Sequence, residues 1–338
     1  MICLGIESTA HTFGIGIVNE KCKILANEKI SYVKKDSVGI HPREAADFHY
    51  KNAKKVIQNA LEKADVSWKE IDLVAFSQGP GLGNCLRVGA VTARTLSLIH
   101  NKPLVGVNHC IAHIEIGRKL TKAKDPITCY ASGANTQIIG LEQGRYRVFG
   151  ETIDIGIGNF LDVFGREIHL GFPAGPKMDE MYFTGKKFIE LPYTVKGMDL
   201  AFSGLLTAGK QKIKKENEKD LVYSLMHTAF SMLTEVSERA MAHTGKKELL
   251  LTGGVASSNA LRKMMKEMCK QRKAKFFVPP REVCVDNGTQ ISWLGLLMFK
   301  NGITTKLSES QIRPKERTDQ IQITWTWTSP ATWRFVFI

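Results

Sequence analysis

Short apolar runs open the chain, and longer stretches with apolar positions at helical spacing follow them. The runs are rich in Ile, Val and Gly and are separated by polar turn residues, which is typical of buried strands. Ser67 and Glu70 have the spacing of a capping box, which predicts the start of a short helix. The first third of the chain predicts strands at residues 2–7, 13–18, 23–31, 72–77 and 104–107, and helices at 43–64 and 84–100.

The same order of elements recurs after residue 125. Strand–turn–strand at residues 4–18 corresponds to 129–141, and strand–glycine turn–helix at 72–94 corresponds to 248–262. An internal repeat of this kind predicts an α/β protein with two lobes of like topology that meet at a cleft. We expect a first lobe at 1–124, a second lobe at 125–324 with a helical insertion at about 157–244, and an unassigned tail at 325–338.

The second lobe has its own run of strand and helix signals. Its last part is less regular, because residues 320–328 alternate like an edge strand and an apolar end follows them. The pattern predicts strands at 127–131, 137–141, 145–149, 247–251 and 275–278, and, after the insertion, helices at 259–271 and 289–299.

Glycine-rich turns occupy equivalent places in the two repeats, at residues 79–83 and 252–255. Turns of this type present backbone N–H groups and a helix N-terminus, which suit phosphate. Since the repeats should face each other, the paired turns favour a nucleotide in the cleft.

The net charge of the chain indicates a second binding partner. The 338-residue chain carries 47 basic and 33 acidic residues, a net charge of +14, which favours a polyanion such as nucleic acid. Lys51 and the basic stretches at 210–219 and 262–275 are candidate RNA contacts, and an ordinary solvated basic surface is the alternative.

Cysteine usage and hydropathy point to the cytoplasm. The seven cysteines are scattered and form no CxxC pair, which suits reduced thiols rather than a disulfide framework. No apolar run approaches the roughly 18–20 residues that span a bilayer, so we expect no membrane association.

Two histidines four residues apart, His109 and His113, are the main candidates for chemistry. On a helix both imidazoles would project from one face and could bind one metal ion. The HExxH motif of zinc proteases has the same spacing, with a Glu general base after the first His. Cys110 stands in that place here, which argues against a protease, although two ordinary histidines are also compatible with the spacing.

Seven further motifs, taken together, make the chain resemble a known family. They are GIESTA at 5–10, SQGPGL at 77–82, VNHCIAHIEIG at 107–117, DIGIGN at 154–159, MDLAFSGLLT at 198–207, GGVA at 253–256 and CVDNG at 284–288. Over about residues 1–324 the chain resembles the tRNA N6-adenosine threonylcarbamoyltransferases of the archaeal and eukaryotic type, the catalytic subunit of the KEOPS complex.

The resemblance implies a fold and a reaction. The fold would be that of the actin/sugar-kinase/chaperone ATPases (ASKHA), with duplicated ribonuclease-H-like lobes. The reaction would transfer the threonylcarbamoyl group of threonylcarbamoyl-AMP to N6 of the adenosine next to the tRNA anticodon. Implied partners are tRNA, a small protein kinase/ATPase, a dimerising subunit and a regulatory subunit. An ATPase, or an ATP-binding assembly subunit without acyl transfer, is the alternative on the same fold.

The resemblance also implies site residues. One divalent metal ion, Fe²⁺ by family and with Zn²⁺ possible, would be held by His109, His113, Tyr130 and Asp286. An adenine nucleotide (threonylcarbamoyl-AMP, or ATP or AMP) would be bound by Tyr130, Ala131, Ser132, Gly133, Ala134, Asp162, Gly175, Asp179 and Asn259. Secondary candidates are Glu7, Ser8, His11 and Asn135.

Several residues depart from the family pattern near the nucleotide. Ala134 and Ala174 stand where the family usually has glycine, and His169 and Phe172 replace a small residue and a His. Glycine in such loops permits positive φ or close approach to a ligand. We therefore expect a Cβ at Ala134 or Ala174 to crowd the phosphate or ribose.

Overall fold

The computed structural model describes residues 1–33 and 40–325, which form two five-stranded sheets with helices on their faces. The first lobe comprises β1 Ile2–Glu7, β2 Thr12–Asn19, β3 Ile24–Ser31, α1 Pro42–Ala64, β4 Leu73–Gly79, α2 Gly83–His100, β5 Leu104–Asn108 and α3 His109–Thr121.

The second lobe repeats this order with additional helices. It comprises β6 Ile127–Ala131, β7 Thr136–Glu142, β8 Arg145–Glu151, α4 Ile157–Glu167, α5 Gly175–Tyr182, β9 Val195–Lys196, β10 Asp199–Leu200, α6 Ser203–Lys212, α7 Glu218–Thr244, β11 Glu248–Thr252, α8 Asn259–Gln271, β12 Lys275–Phe277, α9 Arg281–Cys284 and α10 Gly288–Lys300. Short 3-10 helices lie at Gly254–Ser257, Leu307–Glu309 and Thr318–Gln320.

The two sheets have the same topology. The strand order is β3-β2-β1-β4-β5 in the first and β8-β7-β6-β11-β12 in the second. In each sheet the first three strands form an antiparallel meander, and the last two run parallel to the first strand. The duplication predicted from the order of elements is therefore confirmed.

Apolar residues of the first sheet divide between its two faces. Leu4, Ile6 and Ile15 pack with α1 and α2 on one face, whereas Cys3 and Val105 pack with α3 and α10 on the other. The helices α3 and α10 lie side by side between the sheets. Tyr130 and Tyr146 of the second sheet belong to the same core, so these two helices form the interface between the lobes.

Glycines allow α10 to lie directly on the backbone of β1 and β2. A Cβ at Gly16 would be 2.1 Å from the backbone nitrogen of Thr289, and one at Gly5 would be 2.3 Å from that of Ser292. A Cβ at Gly288 would be 2.0 Å from the nitrogen of Gly16. Because real Cβ contacts are far longer, side chains are excluded from this helix–strand contact.

After α10, residues 303–325 form a C-terminal strap that crosses from the first lobe to the second. The backbone nitrogen of Arg313 donates to the carbonyl of Gln78 at 2.7 Å. Further on, the nitrogen of Ile323 donates to the carbonyl of Gly144 at 2.8 Å. The strap thus links the end of β4 in the first lobe to the turn between β7 and β8 in the second.

Two local predictions from the sequence differ from the observed structure. Glu70 accepts hydrogen bonds from the Ser67 backbone and hydroxyl, at 2.8 and 2.9 Å, but a turn rather than a helix follows, so that helix prediction was wrong. Of the alternating stretch at 320–328, Gln322 forms an isolated bridge with Arg145 instead of a strand, and residues 326–338 lie outside the described part.

The state of the cysteines agrees with the expectation of reduced thiols. All seven cysteines are free and buried. Within residues 1–33 and 40–325, no helix combines the length and the apolar character needed to cross a membrane.

The backbone contact of α10 generates a stability prediction. We expect Gly16→Ala to lower the free energy of unfolding by about 3 kcal/mol, because its Cβ would overlap backbone that cannot move aside. Gly204→Ala is the control, since a Cβ in this α6 position meets nothing within 4 Å. Urea unfolding should show a lower midpoint for the first variant only, and equal midpoints would contradict the packing described.

Candidate metal and nucleotide site

The helix α3 begins at the first candidate metal ligand. Asn108 is its N-cap, and its Oδ1 accepts hydrogen bonds from the backbone nitrogens of Cys110 and Ile111 at 3.0 and 3.2 Å. His109 is therefore the first helical residue, and His113 follows one turn later on the same face. Both imidazoles are buried, and their rings meet edge-on with centroids 4.7 Å apart.

The N-terminus of α10 brings the third candidate. Asn287 caps this helix by accepting from the backbone nitrogens of Thr289 and Gln290 at 3.0 and 3.3 Å. Asp286 comes directly before the cap, and its Oδ1 lies 3.4 Å from Nε2 of His109 and 3.3 Å from Nε2 of His113. The ligand atoms of the three residues lie within 4.8 Å of one another, so the fold brings together donors that are far apart in sequence.

The geometry and chemistry of these donors fit a divalent metal ion. Ligand atoms at about 2.0–2.2 Å from an ion lie roughly 3.0–3.5 Å from one another, which matches the separations of Asp286 from both imidazoles. On the other side of the ring, Nδ1 of His109 is 2.9 Å from Oε2 of the buried Glu7. A carboxylate in this position fixes the orientation of an imidazole ligand and leaves its Nε2 directed at the ion.

The side chain of Gln290 contacts the imidazole of His113. Backbone donors fix the amide of Asn287, so its Nδ2 donates to Oε1 of Gln290 at 3.2 Å. The Gln290 Nε2 lies 3.1 Å from Nε2 of His113 and donates to it in the tautomer that has its proton on Nδ1. The same Nε2 faces the Asp286 carboxylate, and a cation bound between them would take the place of the Gln290 donor.

Burial and the charges of Glu7, His109 and Asp286 together determine the pKa values in the site. Burial opposes the protonation of His109, but Glu7 and Asp286 outweigh it and raise the pKa of His109 well above its ordinary value. Burial lowers the pKa of His113, with Asp286 opposing. Burial would raise the pKa of Asp286, yet hydrogen bonds and charge from both histidines hold it well below its usual range. The carboxylate is thus ionised and available to a cation.

Tyr130 lies at the end of β6 beside this cluster. Its ring centroid is 5.2 Å from that of His113, and the residue is buried. Burial, with Cys110 and Asp286 nearby, raises the pKa of the phenol well above its ordinary value. The phenol therefore keeps its proton unless a cation stabilises the phenolate.

The end of β6 and the loop that follows it contain four of the nine expected nucleotide residues, Ala131 to Ala134, and the secondary candidate Asn135. The loop carbonyls at Ser132 and Gly133 accept hydrogen bonds from the first backbone nitrogens of α4, at 3.0 and 2.9 Å. The Nδ2 of Asn135 donates to Sγ of Cys110 at 3.7 Å, which links the loop to α3. Because α3 carries both candidate histidine ligands, we refer to it as the metal helix. This part of the nucleotide set therefore adjoins the metal candidates.

The expected aspartates both hold helix N-termini. The Oδ1 of Asp162 accepts from the nitrogen of Ala174 at 2.8 Å, directly before Gly175 begins α5. Asp179 accepts from Asn259 and Ala260 backbone nitrogens at 2.9 and 3.1 Å. Ser258, rather than Asn259, is the N-cap of α8, and it also donates its hydroxyl to Asp179.

These capping groups are separate from the metal candidates. Among the described residues, no hydrogen bond joins Asp162, Asp179 or Asn259 to the two histidines or Asp286. Burial raises the pKa of Asp162, with the backbone of Ala174 opposing.

Neither Ala134 nor Ala174, the two alanines that depart from the family pattern, has a positive φ. Ala134 is exposed, and Ala174 is fully buried with φ of −86°. A Cβ built on Gly165 would lie 2.1 Å from Cβ of Ala174, so this methyl group points into the α4–α5 contact. His169 does have a positive φ, 61°, where a small residue is favoured.

The secondary candidates have distinct surroundings. The ring of His11 contacts Phe172 edge-on, with centroids 6.1 Å apart, so these residues join the two lobes. The Oγ of Ser8 is buried and has no hydrogen-bond partner among the described residues. Oε2 of Glu7 is the partner of Nδ1 of His109.

Some functional side chains were missed by the sequence reasoning. Gln290 lies four residues after Asp286, and α10 begins between them. Recognition of this helix start could have indicated Gln290. Lys29 donates to the backbone carbonyl of Asp286 at 3.3 Å, a contact that no local spacing indicates. Of the candidate RNA contacts, Lys51 is exposed, whereas Lys210 is half-buried and pairs with Glu167 at 2.7 Å.

Comparison with solved structures identifies the fold. HypF from T. kodakarensis superimposes with a TM-score of 0.63 at 15% identity, over 89% of this chain and 48% of that one. The activator of the 2-hydroxyisocaproyl-CoA dehydratase from Clostridium difficile gives 0.56 at 13% identity, over 89% and 97%. At these identities the similarity establishes the duplicated ASKHA fold alone.

Comparison with protein sequences gives the family. The family model described as TsaD, tRNA N6-adenosine threonylcarbamoyltransferase, matches residues 23–293. Proteins named tRNA N6-adenosine threonylcarbamoyltransferase from Thermococcus sibiricus and Thermococcus kodakarensis are 56% and 54% identical, each over 96% of this chain and 100% of the relative. A "probable bifunctional tRNA threonylcarbamoyladenosine biosynthesis protein" of Methanocaldococcus jannaschii is 55% identical over 96% of this chain and 60% of its own length. The chain therefore belongs to the tRNA N6-adenosine threonylcarbamoyltransferase family.

Proposed function

We propose that the chain transfers the threonylcarbamoyl group of threonylcarbamoyl-AMP to N6 of the adenosine next to the anticodon of tRNA. The N6 lone pair forms a bond to the carbamoyl carbon, the bond from that carbon to the phosphate oxygen breaks, AMP leaves and N6 loses a proton. The observation that carries the proposal is the buried His109–His113–Asp286 cluster between the lobes of a chain in this family.

The metal site of the proposal consists of His109, His113 and Asp286, with Tyr130 as a fourth ligand and Fe²⁺ as the ion (Zn²⁺ being the other candidate). A divalent ion held there supplies Lewis-acid polarisation of the donor's carbonyl or phosphate. Two nitrogens and two oxygens are compatible with either metal.

Residues around the cluster keep its donors in place. Glu7 holds Nδ1 of His109 at 2.9 Å, and Gln290 contacts Nε2 of His113 at 3.1 Å. The side chains of His109 and His113 are 7% and 0% exposed. Such burial limits the access of water, which would otherwise hydrolyse the reactive acyl phosphate.

The adenosine of the donor is assigned to the second lobe. In this proposal residues 131–134 contact the phosphate and ribose, and Asp162, Gly175, Asp179 and Asn259 contact the nucleoside. Asn135 links that loop to Cys110, while Ser8 and His11 face the acyl acceptor. The position of the loop against α4 and α3 supports this assignment.

The proposal includes macromolecular partners. The net charge of +14 supports tRNA as the acceptor, with Lys51 and the stretches 210–219 and 262–275 as candidate contacts. KEOPS-type partners, namely a small protein kinase/ATPase, a dimerising subunit and a regulatory subunit, would assemble with the chain. Seven free buried cysteines support a cytoplasmic setting.

Product formation tests the proposal directly. The chain, loaded with Fe²⁺ or Zn²⁺ and supplied with threonylcarbamoyl-AMP, unmodified tRNA and the partner subunits, should yield threonylcarbamoyladenosine in nucleoside mass spectrometry. Asp286→Asn should reduce the rate at least about 100-fold, because it removes a charged ligand. Asp65→Asn is the control, since this exposed residue has a left-handed backbone that suits asparagine.

ATP turnover without modified tRNA would contradict acyl transfer and favour the ATPase or assembly subunit. An equal rate for wild type and Asp286→Asn would contradict the assignment of the metal site.

Asp179 offers a second test, because its capping role and its proposed nucleotide role can be separated. Asp179→Ala should cost about 1 kcal/mol of stability through the lost cap. It should also raise KM for threonylcarbamoyl-AMP about tenfold. Asp220→Ala is the matched control, because Asp220 holds the backbone nitrogens of Lys186 and Lys187 at 2.7 and 3.1 Å. If both variants raise KM equally, Asp179 acts only through stability.

A further inference from the structure

The amide of Asn108 has two sets of partners, one on the metal helix and one on the C-terminal strap. Its Oδ1 caps α3 by accepting from the nitrogens of Cys110 and Ile111. Its Nδ2 donates to Oε2 of Glu316 at 3.0 Å. The strap therefore contacts the residue immediately before His109.

Glu316 is well fixed for this contact. Its side chain is 7% exposed, and its Oε1 accepts from Nη1 of Arg313 at 3.0 Å. Arg313 is in turn anchored, because its backbone nitrogen donates to the carbonyl of Gln78. The carboxylate is held between the strap and the end of β5, and both of its oxygens are used.

The orientation of the Asn108 amide matters for the first turn of α3. If the amide turned by half a rotation, its NH₂ group would face the backbone N–H groups of the helix, and the cap would be lost. A carboxylate can only accept, so Glu316 holds the NH₂ group on the strap side. Oδ1 then faces the helix.

We propose that Glu316 is a positioning residue for His109. It acts through Asn108: the carboxylate fixes the amide, the amide fixes the first turn of α3, and this turn fixes the imidazole that faces Asp286. The inference rests on the metal site proposed above. It assigns to the strap a role in metal binding beyond that of joining the lobes.

Another part of the strap provides a matched control. Arg317 pairs with Glu151 on β8 at 3.4 Å, and this contact also ties the strap to the second lobe. In the part of the chain that the structure describes, no hydrogen bond or ion pair joins Arg317 or Glu151 to Asn108. Arg317→Ala thus loosens the strap and leaves the cap of α3 intact.

The experiment compares Glu316→Ala, Glu316→Gln and Arg317→Ala with the wild type in two measurements. The first is hydrogen exchange at the backbone amides of Cys110 and Ile111 in the metal-free protein. We expect exchange about tenfold faster in Glu316→Ala, because the cap loses a charged partner. Glu316→Gln should restore most of the protection, since its one amide oxygen can replace Oε2 as the acceptor of Asn108 while only the Arg313 contact is lost, and Arg317→Ala should match the wild type.

The second measurement is zinc affinity by competition with a chelator. Glu316→Ala should bind Zn²⁺ about 10- to 100-fold more weakly, the usual effect of losing a residue that orients a ligand. Glu316→Gln should recover most of the affinity. Thermal unfolding of all three variants, measured in parallel, shows that each is folded.

Three results would overturn the inference. Unchanged exchange at Cys110 and Ile111 in folded Glu316→Ala would show that the carboxylate does not hold the cap. Unchanged zinc affinity, or an equal loss in Arg317→Ala, would reduce Glu316 to a structural tether. Neither measurement requires tRNA modification, so failure of the proposed reaction is recognised separately, by absence of product.

Discussion

The contact of Gly288 with Gly16 determines where the metal candidates meet. A Cβ on either glycine would lie about 2 Å from backbone of the other strand or helix, so α10 can approach β1 and β2 only because side chains are absent. Asp286 lies two residues before Gly288, and the depth of this contact therefore sets its distance from the histidines of α3. A helix held one side chain further away would leave the carboxylate out of reach of both imidazoles.

The position of α3 is constrained in a similar way from several directions. Its side chains pack in the core between the two sheets, and its buried Glu115 accepts hydrogen bonds from Tyr146 of β8 at 2.7 Å and Trp325 of the strap at 3.0 Å. The metal helix is thus bound to both lobes at once.

Much of this arrangement could be predicted from the sequence, because it depends on short-range patterns. Apolar patterning and the repeated order of elements predicted the two sheets and their duplication, and the spacing of His109 and His113 predicted one helical face. What could not be predicted depends on contacts between distant segments. The partnership of Glu7 with His109, the direction of Gln290 and the strap contact of Glu316 have no local signal. The capping roles of Asp162 and Asp179 likewise appear only when α5 and α8 are in place, and the metal and nucleotide assignments remain predictions.

The central claim is that residues from both lobes hold one metal ion, and anomalous X-ray scattering tests it most directly. Crystals of the chain grown with Zn²⁺ should give one anomalous peak at the zinc edge between the lobes. The account predicts Nε2 of His109, Nε2 of His113 and a carboxylate oxygen of Asp286 within about 2.0–2.2 Å of this peak. A peak elsewhere, with these three side chains unligated, would contradict it.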